Sequence, residues 1–236
     1  MIKKRFLLLA GLAFFFAGCQ TTEKLNNDFS PSPDYYSVKK EKGYTLVKID
    51  LSSSDLVIFT NFSSRKVSDP DILINTTPFE KNGNLTGLAV SEKKLLSPPL
   101  SKYCALCLYK NQEGWKGEII DSQDEIEKIR EQNGGYPDIA AGGFWTILRD
   151  GKIFQFKNYK NYRLAAGLSD NGKKLYLLCA KKKSYMDCAE ILKKHGAETA
   201  MQFDGGHSAQ MIIRGKKQIK APRVKVFAEL FFSNHL

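Results

Sequence analysis

Short apolar runs recur along this chain and are separated by polar turns. Runs rich in β-branched and aromatic residues predict strands at 44–50, 55–61, 103–109, 144–150, 152–156, 163–169, 174–180, 198–203, 209–215 and 224–232. Two of the connections, at 149–152 and 169–174, carry the Asp-Gly or Asn-Gly signal of a hairpin turn. The pattern therefore predicts antiparallel pairing for much of the sheet.

Two segments instead have the signals of amphipathic helices. Ser122 is followed by Glu125, which is the spacing of a capping box, and this segment ends at a Gly-Gly pair. Ser184 and Asp187 repeat the spacing before a segment that stops at Gly196. Few helices among many hairpins predict an α+β fold: a mixed, largely antiparallel sheet with a few flanking helices in a single domain.

The N-terminal segment has the pattern of an export signal. A basic triplet at 3–5 precedes an apolar run at 6–16, which is too short to span a membrane. The sequence Phe-Ala-Gly before Cys19 resembles the lipobox of bacterial lipoproteins, which implies lipidation of Cys19. We expect a signal peptide at 1–18, a tether at 19–40, one domain at 41–236, and an extracytoplasmic location anchored to a bacterial cell membrane. A plain secretory signal with an incidental cysteine is the alternative.

The charge of the chain favours an anionic partner. The formal net charge is +11, with 36 Lys and Arg against 25 Asp and Glu. Nucleic acid is not the expected partner, because no helix-turn-helix, zinc-finger or aromatic-basic signature is present. The densest run, Lys181 to Lys183, is by itself typical of a solvated loop.

Besides Cys19, the chain has cysteines at 104, 107, 179 and 188. A Cys-x-x-Cys pair in a strand directs its sulfurs to opposite faces, so a bond between Cys104 and Cys107 is not expected. Cross-paired disulfides and four buried thiols both stay open. The spacing is poor for zinc and no metal motif occurs, so we predict no cofactor, while a divalent metal held by scattered carboxylates stays open.

Residues 200–211 read AMQFDGGHSAQM, an apolar run that ends at Asp204 and is followed by two glycines. On its own this is a turn signal, because Gly and Asp tolerate turn conformations. An apolar strand that ends in Asp-Gly-Gly, a variable residue and Ser resembles the hallmark of the phosphodiester glycosidase family. Family-like features also lie upstream: the strand that begins at Arg163, the helix with Asp187 in its first turn, and the Gly142-Gly143 pair.

The resemblance is looser toward the N-terminus. Where the family has Asn-Gly-Gly-Phe-Phe, this chain has Ile-Asn-Thr-Thr-Pro-Phe, so only Asn75 and Phe79 match. Thr76 and Thr77 replace the glycines, and His207 stands where glycine is commonest in the family.

The resemblance implies hydrolysis of a sugar-1-phosphodiester in an envelope or extracellular glycan. Asp204, Arg163 and Asp187 are the implied catalytic residues. An arginine suits a phosphate, and a carboxylate at a strand end suits the sugar carbon or a water. Asp187 also has the spacing of a helix cap. The implied substrate-binding residues are Asn75, Gly142, Gly143, Gly205, Gly206, His207 and Ser208.

Two other functions are compatible with the sequence. The lost glycines and the basic charge fit a non-catalytic envelope lipoprotein that binds an anionic glycan or a partner protein. The four cysteines alone would fit a thiol-redox or zinc lipoprotein.

Overall fold

Strands dominate the described part of this protein, and two α-helices accompany them. The structure is a computed structural model that describes residues 30–31, 35–62, 69–219 and 226–234. The helices are α1 (Glu125–Asn133) and α2 (Tyr185–Lys194). In chain order the strands are β1 (Ser30–Pro31), β2 (Tyr36–Glu41), β3 (Tyr44–Asp50), β4 (Val57–Thr60), β5 (Ile72–Asn75), β6 (Ala89–Ser91), β7 (Lys94–Ser97), β8 (Ala105–Asn111), β9 (Gly114–Ile120), β10 (Ile139–Gly142), β11 (Thr146–Arg149), β12 (Lys152–Ile153), β13 (Asn161–Ser169), β14 (Lys174–Lys183), β15 (Thr199–Gln202), β16 (Met211–Ile213), β17 (Lys216–Lys217) and β18 (Glu229–Ser233).

The strands form three sheets. The main sheet has the order β1-β2-β3-β14-β13-β15-β11-β12, the second sheet β7-β6-β10-β8-β9, and the third sheet β17-β16-β5-β18-β4. Every strand pairing in the described residues is antiparallel. The predicted antiparallel pairing is confirmed, whereas the expected mixture with parallel strands is not found. The fold is also richer in strand than the α+β prediction.

One hydrophobic core joins the three sheets. Val47 and Leu164 of the main sheet, Leu106 of the second, and Ile74 and Leu230 of the third belong to one buried cluster. Successive side chains of a strand point to opposite faces, so alternate residues of each sheet enter this core. The ends of main-sheet and third-sheet strands therefore meet at the edge of a shared interior.

The two helices cover outer faces of sheets. On α2, Cys188 and Leu192 pack with Ala165 and Leu178 on the outer face of the main sheet. On α1, Ile126 packs with residues of the second sheet. Glu125 accepts a hydrogen bond from the backbone N–H of Ser122 at 2.9 Å, which is one of the two bonds of the predicted capping box. The helix itself begins after Asp124, which makes no side-chain capping bond.

Several strands were not predicted from the sequence, among them β2, β5, β9 and β10. Strand β2 pairs with β3 along its whole length, so residues 36–40, which we expected in the tether, lie in the main sheet. Tyr35 and Tyr36 explain this, because both rings are buried in the core. The predicted signal peptide, Cys19 and the first part of the tether lie outside the described residues. Within the described part of the chain, no helix is long and apolar enough to cross a membrane.

The four cysteines at 104, 107, 179 and 188 are buried free thiols. Cys104 belongs to the core shared by the three sheets and Cys107 to the cluster under α1, as expected for sulfurs on opposite faces. Burial raises the pKa of the Cys104 thiol to about 12, which leaves very little reactive thiolate at neutral pH. These cysteines are therefore packing residues.

Candidate active site

Asp204 lies where the main sheet meets the third sheet. It follows β15, and its backbone N–H donates to the carbonyl of Thr76, just after β5, at 2.8 Å. The preceding residue, Phe203, still belongs to the main sheet, since its N–H donates to the Leu164 carbonyl at 2.9 Å. The chain thus leaves one sheet and attaches to the other at the aspartate.

The two glycines after Asp204 are required for different reasons. A Cβ on Gly205 would lie 2.9 Å from the carbonyl oxygen of Tyr162, so no side chain fits there. Gly206 has φ +61°, in the left-handed region that favours glycine. It starts a 3-10 turn through Ser208, whose N–H donates to the Gly205 carbonyl at 3.2 Å. The segment 204–210, which we call the motif loop, therefore has a tight and specific path.

Asn75, the last residue of β5, holds this loop through its side chain. Its Nδ2 donates to the Asp204 carboxylate at 3.3 Å, to the Asp204 carbonyl at 3.4 Å and to the Ser208 carbonyl at 3.1 Å. Three acceptors on one side fix the orientation of the amide. The structure therefore brings Asn75 against Asp204 and Ser208, which lie 129 and 133 residues further along the chain.

The environment of Asp204 suits a general base. Burial raises the pKa of this carboxyl above its ordinary value, against the hydrogen bonds from the Ser208 and Asn75 side chains and the Gly205 backbone. Desolvation makes a carboxylate more basic, and a base with a raised pKa takes a proton more readily at neutral pH. Asp204 is also partly exposed, so that a substrate can reach it.

Arg163 is held near the helix α2 and not against Asp204. Its Nε donates to the Lys183 carbonyl at 3.2 Å and its Nη2 to the Tyr159 carbonyl at 2.8 Å. The guanidinium also lies 4.0 Å from the ring centroid of Tyr185. Although the backbones of Arg163 and the motif loop are adjacent, the described residues contain no hydrogen bond or ion pair between Arg163 and Asp204.

Asp187 caps the helix α2. It accepts a hydrogen bond from the Ser184 N–H at 2.7 Å, and its own N–H donates to the Ser184 hydroxyl at 3.1 Å. Burial acts to raise the pKa of Asp187, but these Ser184 bonds and the nearby Lys183 and Lys160 hold it below its ordinary value. This arrangement is the capping box that the sequence predicted as the alternative role.

The remaining predicted residues lie in two places. His207 is exposed in the motif loop, beside Ser208. Gly142 and Gly143 lie in a crowded junction of the sheets, where a Cβ on Gly143 would be 2.4 Å from the Gln202 carbonyl oxygen. The structure places these two glycines in packed backbone and does not bring them into contact with the Asp204 side chain.

Thr76 and Thr77 are fully buried beside the motif loop. Thr76 donates its hydroxyl to the Ala228 carbonyl at 3.3 Å. The Oγ1 of Thr77 and the Oδ1 of Asn75 are buried with no hydrogen-bond partner in the described residues. These two oxygens therefore lack the hydrogen bond that buried polar groups usually have.

The sequence prediction missed a second buried carboxylate near this site. Glu229 begins β18 and is the direct strand partner of Asn75. Its side chain bonds to the amides of Asn61 and Gln210 at 2.7 Å and 2.9 Å. The signal was present in the sequence as a single acidic residue inside the apolar run FAELFF, a context in which a charge is costly.

No metal centre is evident in the described residues. They contain no group of three His, Cys, Asp or Glu side chains that could hold a metal ion.

Comparison with known proteins places this geometry in a family. The sequence profile of the phosphodiester glycosidase family matches residues 70–229, which include Asn75, the motif loop and Glu229. The chain belongs to this family. Membership in the phosphodiester glycosidases indicates a hydrolase that acts on phosphodiester glycosidic bonds. None of the curated proteins compared with the sequence matches it significantly.

Solved structures with the same fold include an enzyme. The catalytic domain of zebrafish N-acetylglucosamine-1-phosphodiester alpha-N-acetylglucosaminidase, auto-inhibited by its pro-peptide, superposes with a TM-score of 0.60 and 15% identity, over 84% of this chain and 77% of that one. A putative exported protein from Burkholderia pseudomallei gives 0.58 and 10%, over 87% and 76%. A hypothetical protein from Synechocystis gives 0.57 and 12%, over 84% and 61%. At these identities the three structures show that the phosphodiester glycosidase fold is shared.

Proposed function

We propose that this phosphodiester glycosidase hydrolyses a sugar-1-phosphodiester in an envelope or extracellular glycan and releases the sugar from the phosphate. The observation that carries the proposal is Asp204, a partly buried carboxylate with a raised pKa, held by Asn75 and Ser208 at a glycine-lined strand end. Such a group is a positioned base in a partly exposed loop, where a substrate can approach.

The reaction fits a site with one general base. The bond between the sugar carbon C1 and the phosphate oxygen breaks, and a water oxygen takes its place on C1 as Asp204 accepts the water proton. The phosphate departs with the bonding electrons as a monoester anion, which needs no prior protonation because its second pKa is about 6. The site therefore requires less general-acid help than ordinary glycoside hydrolysis.

Lysines at one end of the main sheet supply positive charge for the phosphate. Tyr44 and Arg163 both pair with Ala180, so the β2–β3 turn, the end of β14 and the start of β13 lie together. Exposed lysines occupy these segments, and we call them the basic end: Lys40, Lys42, Lys160, Lys181 and Lys182.

The basic end and Asp204 lie at the same edge of the main sheet. Ala165 pairs with Gln202, so the chain that follows β15 emerges where β13 begins. A Cβ on Gly206 would lie 3.5 Å from the Asn161 amide nitrogen, next to Lys160. The basic end thus adjoins the motif loop and fits a polyanionic, phosphate-linked glycan. With Arg163 bound to carbonyls, these lysines are the better candidates for holding the phosphate.

The direct test is hydrolysis by the purified fragment 20–236. It should release free sugar from at least one member of a panel of sugar-1-phosphodiesters that differ in sugar and in the group beyond the phosphate. If the folded fragment is inert on the whole panel but binds an anionic glycan on an array in a salt-sensitive manner, the non-catalytic lipoprotein is the correct function instead.

Reversing charge at the basic end should weaken substrate binding. For Lys181→Glu combined with Lys182→Glu we expect KM for a polymeric substrate to rise about tenfold at low salt, because attraction of an anion is lost. The difference should shrink at 0.5 M salt, where the screening length is only a few ångströms. The measurement is KM against ionic strength.

The matched control, Lys94→Glu with Lys128→Glu, changes the net charge equally on exposed sites of the second sheet and α1. An equal rise in the control would contradict a local role.

A lipid anchor at Cys19 would hold the enzyme at the surface that carries its substrate. Acyl chains on that cysteine attach a protein to a bilayer while the domain stays in water. In cells, the full chain should incorporate labelled palmitate and fractionate with membranes, and Cys19→Ser should lose both properties. Equal labelling of the two proteins would refute the anchor and favour a plain secretory signal.

A further inference from the structure

Four polar residues form a row across the third sheet, next to the motif loop. Glu229 is the strand partner of Asn75, and the β16–β5 register that pairs Met211 with Ile74 brings Gln210 opposite Asn75. On the other side, the Asn61 N–H donates to the Glu229 carbonyl at 3.3 Å. Opposed residues in a sheet point to the same face. The row Gln210, Asn75, Glu229 and Asn61 therefore presents its side chains to one side.

The carboxylate of Glu229 is the centre of this row. Its Oε2 accepts from the Asn61 amide at 2.7 Å and its Oε1 from the Gln210 amide at 2.9 Å. The Glu229 N–H in turn donates to the Asn61 side-chain carbonyl at 2.7 Å. The residue is only 8% exposed. Since Asn75 lies between Gln210 and Glu229 in the sheet, the bond between those two crosses Asn75 and helps to bury it.

The hydrogen bond between Gln210 and Glu229 anchors the C-terminal end of the motif loop. At the N-terminal end of the loop, Asp204 is held by the Thr76 carbonyl and the Asn75 amide. At the C-terminal end, the backbone carbonyl of Gln210 accepts from the Asn75 N–H at 3.0 Å, and the Gln210 side chain bonds to Glu229. Between these ends, the loop has the bonds of its own 3-10 turn, at 3.2 Å and 3.3 Å, and the bond from the Asn75 amide to the Ser208 carbonyl at 3.1 Å. Both anchors depend on Asn75, and one of them depends on Glu229.

A buried carboxylate at position 229 has an unfavourable free energy of desolvation. An apolar residue would suit the strand, in which Leu230 and Phe231 follow, and removing a charge from water is unfavourable even when it is hydrogen-bonded. Burial raises the pKa of Glu229 despite the two amide bonds. What the carboxylate provides is two acceptor oxygens on opposite sides, which fix two amides at once.

We propose that Glu229 is a positioning residue, whose carboxylate fixes Gln210 and thereby the loop that presents Asp204. Its effect on loop geometry stands independently of the proposed function, whereas its effect on turnover rests on that function. The two parts call for two readouts.

The first readout is hydrogen exchange of the amides in the motif loop, measured by mass spectrometry on the folded fragment 20–236. Glu229→Leu removes both acceptor oxygens, and we expect the loop amides to exchange at least about tenfold faster, as in a segment that opens locally. Glu229→Gln should stay close to wild type. The new amide oxygen can accept from Asn61. The new amide nitrogen can donate to the side-chain oxygen of Gln210 if the Gln210 amide group rotates by half a turn.

Asp71→Asn is the matched control. Asp71 is another buried acid, 6% exposed, at the opposite end of β5, where it accepts from the Tyr35 hydroxyl at 2.8 Å. Its substitution should leave the loop amides unchanged. Wild-type exchange of the loop in Glu229→Leu would overturn the proposal, and so would an equal acceleration in the control. If Glu229→Leu does not fold, Gln210→Leu removes the same bond from its other side and should give the same acceleration.

The second readout is turnover on a substrate identified in the panel. We expect kcat to fall about 100-fold in Glu229→Leu, since a small displacement of a catalytic group costs about that much. KM should change little, and Glu229→Gln should restore most of kcat. Equal inactivity of both variants would show that the charge itself acts in the reaction, which contradicts a positioning role. An inert wild type with the predicted exchange pattern would refute the proposed function and leave the loop anchor standing.

Discussion

Asp204→Asn is expected to lower kcat for sugar release by about 10²–10⁴-fold, the contribution of a positioned general base. The substitution keeps the size of the side chain. It also keeps the bond from Asn75, because the new amide oxygen can accept from Nδ2. What it removes is the ability to accept a proton. Single-turnover kinetics on the best substrate of the panel measure the loss, and exposed Asp124→Asn is the control, with wild-type kcat expected.

The same variant should not be less stable than the wild type. Burial places the folded pKa of Asp204 above its unfolded value, so the folded protein binds the proton more tightly. As pH rises from the ordinary value through the raised value, wild-type stability therefore falls, and Asp204→Asn escapes this loss. Denaturant melts at several pH values measure the difference. A variant that is inactive because it is unfolded, or one that is folded and fully active, would contradict the assigned role.

Asn75→Asp is the second substitution with a large expected effect. The Asn75 amide donates to three oxygens, and the variant would set a carboxylate against all of them. Two carboxylates in contact cannot both ionise readily, so the pKa of Asp204 should rise further. At neutral pH we expect kcat to fall about 100-fold or more through displaced geometry, and the acidic limb of the pH–rate profile to move to higher pH.

Two other variants separate charge from geometry at this position. Asn75→Ala also loses the three bonds but adds no charge, so kcat should fall without the shift of the pH–rate profile. Asn82→Asp adds the same charge on an exposed loop and should leave both kcat and the profile unchanged. A normal profile in Asn75→Asp would mean that the residue does not face Asp204 in the working enzyme.

Comparison of the fold with the predicted elements shows which sequence signals were sufficient to locate a helix or a strand. Both helices form in the predicted segments and end at the predicted glycines, because these signals act between neighbours in the chain. The predicted capping box is complete at α2, whereas α1 begins after Asp124 and not at Ser122. Strand β3 has the predicted bounds at 44–50, since its sequence is rich in β-branched and aromatic residues. Strands β5 and β9 were missed, because β5 is short and β9 contains two glycines, which weaken the strand signal of its alternating residues.

The candidate site likewise contains residues whose role could be predicted from the sequence and residues whose role could not. The Asp-Gly-Gly segment was recognisable as a turn signal and a family-like motif, and the left-handed φ of Gly206 is such a local requirement. The need for glycine at 205 comes instead from the Tyr162 carbonyl oxygen on another strand. Arg163 was assigned to the phosphate from its position on a family-like strand. Its side chain instead lies on the α2 face, bound to carbonyls and beside Tyr185, which sequence spacing alone does not reveal.

The sequence by itself determined the antiparallel character of the sheets, the two helices and the loop that carries Asp204. These features depend on alternation, caps and turns, which are properties of residues close together in the chain. Only the tertiary structure decided that Asn75, Asp204 and Glu229 meet at one sheet junction, while Asp187 caps a helix. That result depends on the strand register that pairs Asn75 with Glu229 and on the hydrogen bond from Asn75 to Asp204, 129 residues further along the chain. Register is fixed by packing the shared core, and no local pattern encodes it.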